Sequence, residues 1–230
     1  MRKFVEVAAL RKIPLFEGLS EEALSELIGL LHYKDVPPET TIITAGHPGE
    51  VVYIILEGSV RIVMDDNERN IILAVYGPGE VVGEMSVLDG MGRSASVITQ
   101  EKSTLLWLGS TTFWEQLWKM EPVPFNMIRI LNQRLRLCST QLQAIAALDV
   151  NGRMAKQLLS FAKEHGRPVE NGGVLIPLRL TQTTLADMIG ASRVRVNQVL
   201  VYWKQQKHIE LDAEHHITIL NEKALMQYIQ

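Results

Sequence analysis

The chain has 230 residues, a net charge of −3, 47% hydrophobic residues and 21% charged ones. That length buries a real core in one large or two modest domains, and the composition excludes disordered and collagen-like classes. No apolar run approaches the roughly 18 residues of a membrane span, and the apolar part of Met1–Leu10 is too short for a secretory signal. The single cysteine, Cys138, can form neither an internal disulfide nor a cysteine-ligated cluster. The expected compartment is therefore the reducing cytoplasm, with no membrane partner. The charge is unevenly divided, net −6 over residues 1–150 and +3 over residues 151–230. An acidic body with a basic C-terminal segment implies two parts with different partners.

In chain order, the first helix signal falls within Leu15 to Leu31. Ser20 stands as an N-cap before Glu21 and Glu22, and Ala23, Leu24, Leu27, Ile28 and Leu31 follow at helical spacing. From Asp35 to about Leu108, short β-branched runs alternate with Pro and Gly breaks. These runs are Thr41–Thr44, Val51–Leu56, Val60–Met64, Ile71–Val75, Ser96–Thr99 and Leu105–Leu108, and they predict a compact antiparallel barrel or roll.

After Pro124 the period changes. Ile128, Leu131, Leu135, Cys138, Leu142 and Ile145 alternate spacings of three and four, the a/d stripe of a heptad helix. So narrow a stripe favours a homodimer seam over a helix lying on its own domain's core, whose buried face is normally wider. Asp149–Gly152 reads as a break and hinge. A helix over Arg153–Lys163, a turn at Asn171-Gly172-Gly173 and a short strand Val174–Pro177 follow.

Thr181 to Gln206 has the pattern of a helix-turn-helix. Thr181 caps a first helix, Gly190 ends it where a tight turn needs no Cβ, and Ser192 caps a second. Val196, Val199, Leu200 and Trp203 face inward, with small Ala186 at the crossing. Outward, Arg193 suits guanine O6 and N7, Gln198 suits adenine, and Val194 suits a thymine methyl. Arg195, Ser192 and Gln182 are expected to hold phosphates. His208–Leu220 alternates about a turn, as a β-hairpin wing would, which places His215 and His216 on opposite faces of a strand.

Gly83 to Ala95 (GEMSVLDGMGRSA) is a candidate phosphate cradle. Arg93 offers a bidentate clamp, Ser94 a hydroxyl, and the turn its backbone N–H groups. Glu84 would repel a phosphate, so it is expected either to accept a ribose 2′-OH or to orient Arg93.

Together these segments resemble the cyclic-AMP receptor protein family of bacterial transcription regulators over nearly the whole length. Pro14-Leu15-Phe16, Gly18-Leu19, the phosphate cassette, the long helix, Leu148-Asp149-Val150, Gly152-Arg153 and the winged helix-turn-helix carry the likeness. It implies an α+β architecture: an antiparallel β-roll sensor over residues 1–124, a dimerisation helix over 125–148, a hinge over 149–152, and a winged helix-turn-helix over 153–230. It also implies that Glu84 binds the ribose hydroxyl, Arg93 and Ser94 the cyclic phosphate, and Gly83 makes a backbone contact. The family's Thr-Ser pair, which binds the adenine amino group from both subunits, falls on Cys138-Ser139, so Ser139 matches and the threonine does not. In the reading helix, Arg193 matches the family's first arginine, while Val194 and Gln198 replace its glutamate and second arginine.

The expectation is a homodimeric, non-enzymatic regulator controlled by a cyclic nucleotide, foremost cyclic AMP. Its partners would be a roughly palindromic double-stranded DNA site and RNA polymerase, with no metal or resident cofactor. A same-fold regulator answering to cyclic GMP or another small molecule, or acting without effector, is the alternative. An iron–sulfur sensor would need more cysteines, and a haem sensor a second ligand beside His47. A cyclic-nucleotide hydrolase would need clustered metal ligands, whereas the six histidines are scattered.

Overall fold

The computed structural model describes residues 6–66, 69–170 and 172–229. Residues 1–5, which belong to the N-terminal stretch discussed above, and Asn171 lie outside them. The chain forms two compact units, residues 1–135 and 136–230.

The first unit opens with α1 (Val7–Leu10), a 3-10 turn (Pro14–Phe16) and α2 (Glu21–Leu30). Ser20 caps α2 as expected, its Oγ accepting from the Ala23 N–H at 3.2 Å. The strands and helices that follow are β1 (His32–Val36), β2 (Thr41–Ile43), β3 (Val51–Glu57), β4 (Val60–Asp66), β5 (Arg69–Tyr76), β6 (Val81–Val82), α3 (Glu84–Asp89), β7 (Ser96–Thr99), β8 (Ser103–Gly109) and α4 (Ser110–Glu115). Two four-stranded antiparallel sheets result, ordered β1-β8-β3-β6 and β2-β7-β4-β5. This is the predicted roll.

The period-two geometry of the strands explains their near-continuous apolar runs. On β3 and β8, Ile55 and Leu105 join Val36, Ile43, Val60, Val82 and Val97 in one cluster. Their neighbours Val52, Ile54, Leu106 and Leu108 point to the other face and pack with Leu10, Leu15, Phe16, Leu24, Leu27 and Phe113. Both faces of these strands are therefore covered, so alternation disappears from the sequence. β1 (HYKDV) was missed because its residues are mostly exposed and carry no apolar pattern. α3 lies inside the cassette, ahead of the turn at Gly90.

Helix α5 runs from Pro122 to Ala147, so it begins before the expected boundary at 125. Pro122 and Pro124 lie in its first turn, where backbone N–H groups have no intrahelical partner and proline costs nothing. The division between the two units falls inside this helix rather than at its ends.

Along α5 the heptad stripe is an exposed face. Leu135 and Leu142 are 65% and 69% exposed, and Ile128, Ile145 and Cys138 are also exposed. Only Leu131 is partly buried, against the first unit's core. Apart from Leu131, the stripe therefore does not lie on its own domain's core.

The second unit continues with α6 (Val150–His165), β9 (Arg167–Pro168), β10 (Val174–Ile176), α7 (Gln182–Ile189), α8 (Arg193–Gln205), β11 (Ile209–Leu211), β12 (Ile217–Ile219) and α9 (Glu222–Met226). The sheet order is β11-β12-β10-β9. Met154, Leu158, Phe161, Ile176, Leu185, Val196, Leu200, Trp203, Ile217 and Leu225 are buried in this unit. Expected and observed helices differ at the hinge. The break is confined to Leu148 and Asp149, because Asp149 Oδ1 accepts from the Gly152 N–H at 2.8 Å and caps α6. Residues 150–152 are thus the first turn of α6. Gly152 is there for close packing, since a Cβ would come 2.6 Å from the Tyr228 carbonyl oxygen.

Candidate functional site

The cassette lies in the first unit, between β6 and β7. Gly83 ends the strand in the left-handed region (φ 82°), and a Cβ there would meet Arg93 Nη1 at 2.8 Å. Both facts require glycine. After the turn at Gly90, the Arg93 backbone is pinned by its N–H donating to the His47 carbonyl and its own carbonyl accepting from the Gly46 N–H.

The Arg93 residue is only 8% exposed. Its Nη1 donates to the Gly83 carbonyl (2.7 Å) and to Ser86 Oγ (2.8 Å), and its Nη2 donates to the Val51 carbonyl (2.7 Å). Burial pulls its pKa below the ordinary arginine value, opposed by Tyr53, Glu84 and Glu50. A guanidinium has five N–H donors, so the Nε–H and one Nη2–H remain, side by side. That edge matches two oxygens of an anionic phosphate. Ser94 is exposed, its Oγ 3.9 Å from Met85 Sδ.

Glu84 is 3% exposed and does not orient Arg93. Its Oε1 accepts from Arg134 Nη1 on α5 at 2.7 Å, while Arg134 Nη2 donates to the Val81 carbonyl at 2.6 Å. The Arg134 guanidinium also sits 4.3 Å from the centre of the Tyr76 ring. Burial works against the charge on Arg134, but Glu84, Tyr76 and Glu80 more than offset it and raise its pKa. Glu84 Oε2 takes no hydrogen bond among the described residues, which leaves one carboxylate oxygen able to accept a hydroxyl.

Sequence reasoning missed Arg134, Ser86 and the Val51 carbonyl. In the sequence Arg134 is simply a polar neighbour of the heptad stripe. The signal that could have found it is the cassette carboxylate itself, since a buried Glu84 needs a cation. Cys138 and Ser139 are exposed residues of α5 in the second unit, whereas Gly83, Glu84, Arg93 and Ser94 belong to the first.

In the second unit the bihelical pattern forms as predicted. Thr181 Oγ1 accepts from the Thr184 N–H at 3.1 Å. Gly190 adopts φ 63°, and Ser192 Oγ accepts from the Arg195 N–H at 3.2 Å. Arg193, Val194 (68% exposed), Arg195, Asn197 and Gln198 lie on the solvent side of α8. Arg195 Nη1 donates to Gln198 Oε1 at 3.4 Å, and Gln182 Nε2 donates to Asn197 Oδ1 at 2.8 Å. An exposed row led by two arginines at a helix N-terminus has the chemistry of a DNA-reading surface.

The wing is β11 and β12, paired Ile209 with Ile219 and Leu211 with Ile217. His215 and His216 lie in its turn, not on a strand. Asp212 pulls the chain round there by accepting from the His216 N–H and ring Nδ1, both at 2.8 Å. His215 takes a positive φ of 67° in this turn. Ligand atoms of Asp212, Glu214 and His216 lie within 4.8 Å of one another, at a largely exposed turn already organised by those bonds.

Comparison with known proteins matches the two regions to two families. Residues 33–118 match a family model described as a cyclic nucleotide-binding domain, and residues 152–228 match a Crp-like helix-turn-helix domain. The chain is 31% identical over 209 residues to the CRP-like cAMP-activated global transcriptional regulator of Mycobacterium tuberculosis, covering 89% of this chain and 92% of that protein. It is 30% identical over 190 residues to the cyclic AMP receptor protein of Thermus thermophilus, covering 81% and 83%. Among solved structures, the Thermus thermophilus catabolite activator protein matches with a TM-score of 0.53 at 26% identity, over 94% of this chain and 98% of that one. A CooA mutant from Carboxydothermus hydrogenoformans matches with a TM-score of 0.73 over 99% and 97% of the two chains. At 17% identity the latter is a likeness of fold alone.

A nucleotide-binding roll carried on the same chain as a winged helix-turn-helix defines the class: DNA-binding transcription regulators that respond to cyclic nucleotides. The chain belongs to the cyclic-AMP receptor protein family within that class. Its relatives are regulators, not enzymes. Among the described residues, no helix is long and apolar enough to cross a membrane.

Proposed function

We propose that this protein is a cytoplasmic, homodimeric transcription regulator whose DNA binding is switched by cyclic AMP. The observation that carries the reading is the buried Arg93. Three of its N–H donors are tied to Gly83, Ser86 and Val51, and its remaining edge fits a cyclic phosphate. Ser94 adds a hydroxyl donor, Gly83 its backbone, and Glu84 Oε2 accepts the ribose 2′-OH. Ser139 receives the adenine amino group, with Cys138 beside it as a weaker partner than a threonine would be.

The exposed stripe Ile128, Leu131, Leu135, Cys138, Leu142 and Ile145 meets the same stripe of a second copy. A two-fold dimer then places two reading helices on a palindromic site, with Arg193, Val194 and Gln198 toward bases and Arg195, Ser192 and Gln182 toward phosphates. Differential contact of the nucleotide with two arrangements of the dimer shifts their populations, which is all that allosteric control requires. RNA polymerase is the partner through which a bound dimer acts. No metal or resident cofactor enters the mechanism.

Calorimetric titration of the purified protein with cyclic AMP, cyclic GMP and cyclic di-GMP tests the effector. One related fold is that of a regulator described as responsive to c-di-GMP, so that arm is informative. Selective binding of cyclic AMP supports the reading, preference for another nucleotide reassigns the effector, and binding of none supports an effector-independent regulator.

A further inference from the structure

Of the Arg93 donors tied within the fold, those on the Gly83 and Val51 carbonyls meet backbone, and the one on Ser86 meets a side chain. Nη1 carries two hydrogens and both are in use, toward the Gly83 carbonyl at 2.7 Å and toward Ser86 Oγ at 2.8 Å. We infer that Ser86 is a positioning residue for the effector: it decides which edge of the Arg93 guanidinium meets the phosphate, and so how tightly and through which phosphate oxygens a cyclic nucleotide is held. This rests on the cyclic-nucleotide reading of the cassette and adds to it a side chain outside the set Gly83, Glu84, Arg93 and Ser94.

A guanidinium offers a phosphate two flat edges, a side formed by Nε and Nη2 and an end formed by Nη1 and Nη2. The end edge needs a free Nη1 hydrogen. Guanidinium nitrogens donate and do not accept, so Ser86 Oγ is the acceptor in its bond and Nη1 is saturated. Only the side edge is left for a ligand. Ser86 is the third residue of α3 and is 5% exposed, and its bond to Arg93 is buried, so solvent does not compete for the same hydrogen. The chain ahead of β3 holds the pair in place. A Cβ on Gly49 would lie 2.6 Å from both Ser86 Cβ and Ser86 Oγ, so glycine is what lets that segment close on the serine. The same segment accepts the Arg93 backbone N–H on the His47 carbonyl and the Nη2 donor on the Val51 carbonyl. Ser86 and Arg93 are thus gripped by one stretch of chain, Gly46 to Val51. The fork is oriented before a ligand arrives, and less ordering remains at binding.

Calorimetric titration of the full-length protein with cyclic AMP and with its two phosphorothioate diastereomers provides the test, because each diastereomer has sulfur in place of a different exocyclic phosphate oxygen. If another cyclic nucleotide proves to be the preferred effector, its diastereomers take their place. A guanidinium held on one edge tells the two apart, so the wild type should bind one of them more tightly. Ser86→Ala frees an Nη1 hydrogen and lets the fork turn. It should weaken the parent nucleotide by about tenfold to about a hundredfold and bring the affinities of the two diastereomers together. Ser86→Cys, similar in shape but a weak acceptor, should fall between. A Ser86→Ala protein that binds all of these compounds as the wild type does, or more weakly by one common factor, overturns the positioning role, since a general loss of structure leaves the ratio untouched. A wild type that binds the nucleotide without telling the diastereomers apart overturns it too. A wild type that binds no cyclic nucleotide overturns the cassette reading itself, and this inference with it.

Discussion

Arg134 on α5 and Glu84 at the start of α3 meet at 2.7 Å, with side chains 16% and 4% exposed. The pair ties the cassette to the helix that carries the heptad stripe. Removing one partner from such a pair strands the other charge, which costs about 3–5 kcal/mol in buried settings. Arg134→Ala should therefore destabilise the first unit strongly in urea unfolding. Arg134→Ala with Glu84→Gln should cost clearly less than the two single changes added together. Additive losses would show that the pair contributes no coupling.

Arg93 should be irreplaceable by lysine. A lysine ammonium has three donors on one atom and cannot satisfy the Gly83 and Val51 carbonyls and Ser86 while presenting a flat edge to a phosphate. Arg93→Lys and Arg93→Ala should both abolish cyclic-AMP-stimulated DNA binding while the protein stays dimeric. Retained stimulation in Arg93→Lys, measured by fluorescence anisotropy on operator DNA, would remove the guanidinium edge from the phosphate site.

The same two arginines show what the sequence could and could not disclose. Arg93 was legible because glycines and a serine crowd around it within thirteen residues. Arg134 was not, because its partner Glu84 lies fifty residues away and only the folded roll brings them together. The caps at Ser20, Thr181 and Ser192 are legible in the sequence because each hydroxyl and the N–H it accepts from lie three residues apart. Asp149 and Gly152 read as helix breakers in the sequence, but the observed break is only Leu148 and Asp149, because the aspartate caps α6 and the glycine packs against Tyr228. Strand β1 has too little apolar surface to announce itself and is recognised only by its pairing with β8.

The α5 stripe predicts its own disruption. Leu135 and Leu142 are more than half exposed, so replacing them changes little within one chain. In a dimer each would sit against its counterpart, and two glutamates facing two glutamates would be desolvated like charges. Leu135→Glu with Leu142→Glu should give a folded monomer by analytical ultracentrifugation. A variant that stays dimeric would place the interface elsewhere.

Arg193 is the first residue of α8 and exposed. Arg193→Ala should lose about 1–3 kcal/mol of discrimination at one base position per half-site. It should also leave thermal stability unchanged, because the side chain packs on nothing in the core. Competition binding against single-base operator variants measures this. A uniform weakening over all variants would reassign Arg193 to phosphate.

Stability of the second unit should fall on mild acidification, through His165. Burial pushes the His165 pKa below its ordinary value of 6.5, since the imidazolium is costly to desolvate. The unfolded chain then binds the proton more readily than the folded one. The stabilisation is complete above pH 6.5 and is lost as pH falls from there to the lower folded value. Neighbouring Glu164 acts with the opposite sign. Burial raises its pKa above 4.5, against a hydrogen bond from Ser160 and the charge of Lys163, so its protonation favours the fold as pH falls. Its Oε2 lies 3.9 Å from His165 Nε2. His165→Gln keeps a neutral polar side chain and removes the titration. Thermal melting between about pH 5 and about pH 7.5 should then show a flatter profile for the variant than for the wild type. Parallel profiles would clear His165 and leave the acid sensitivity to other groups.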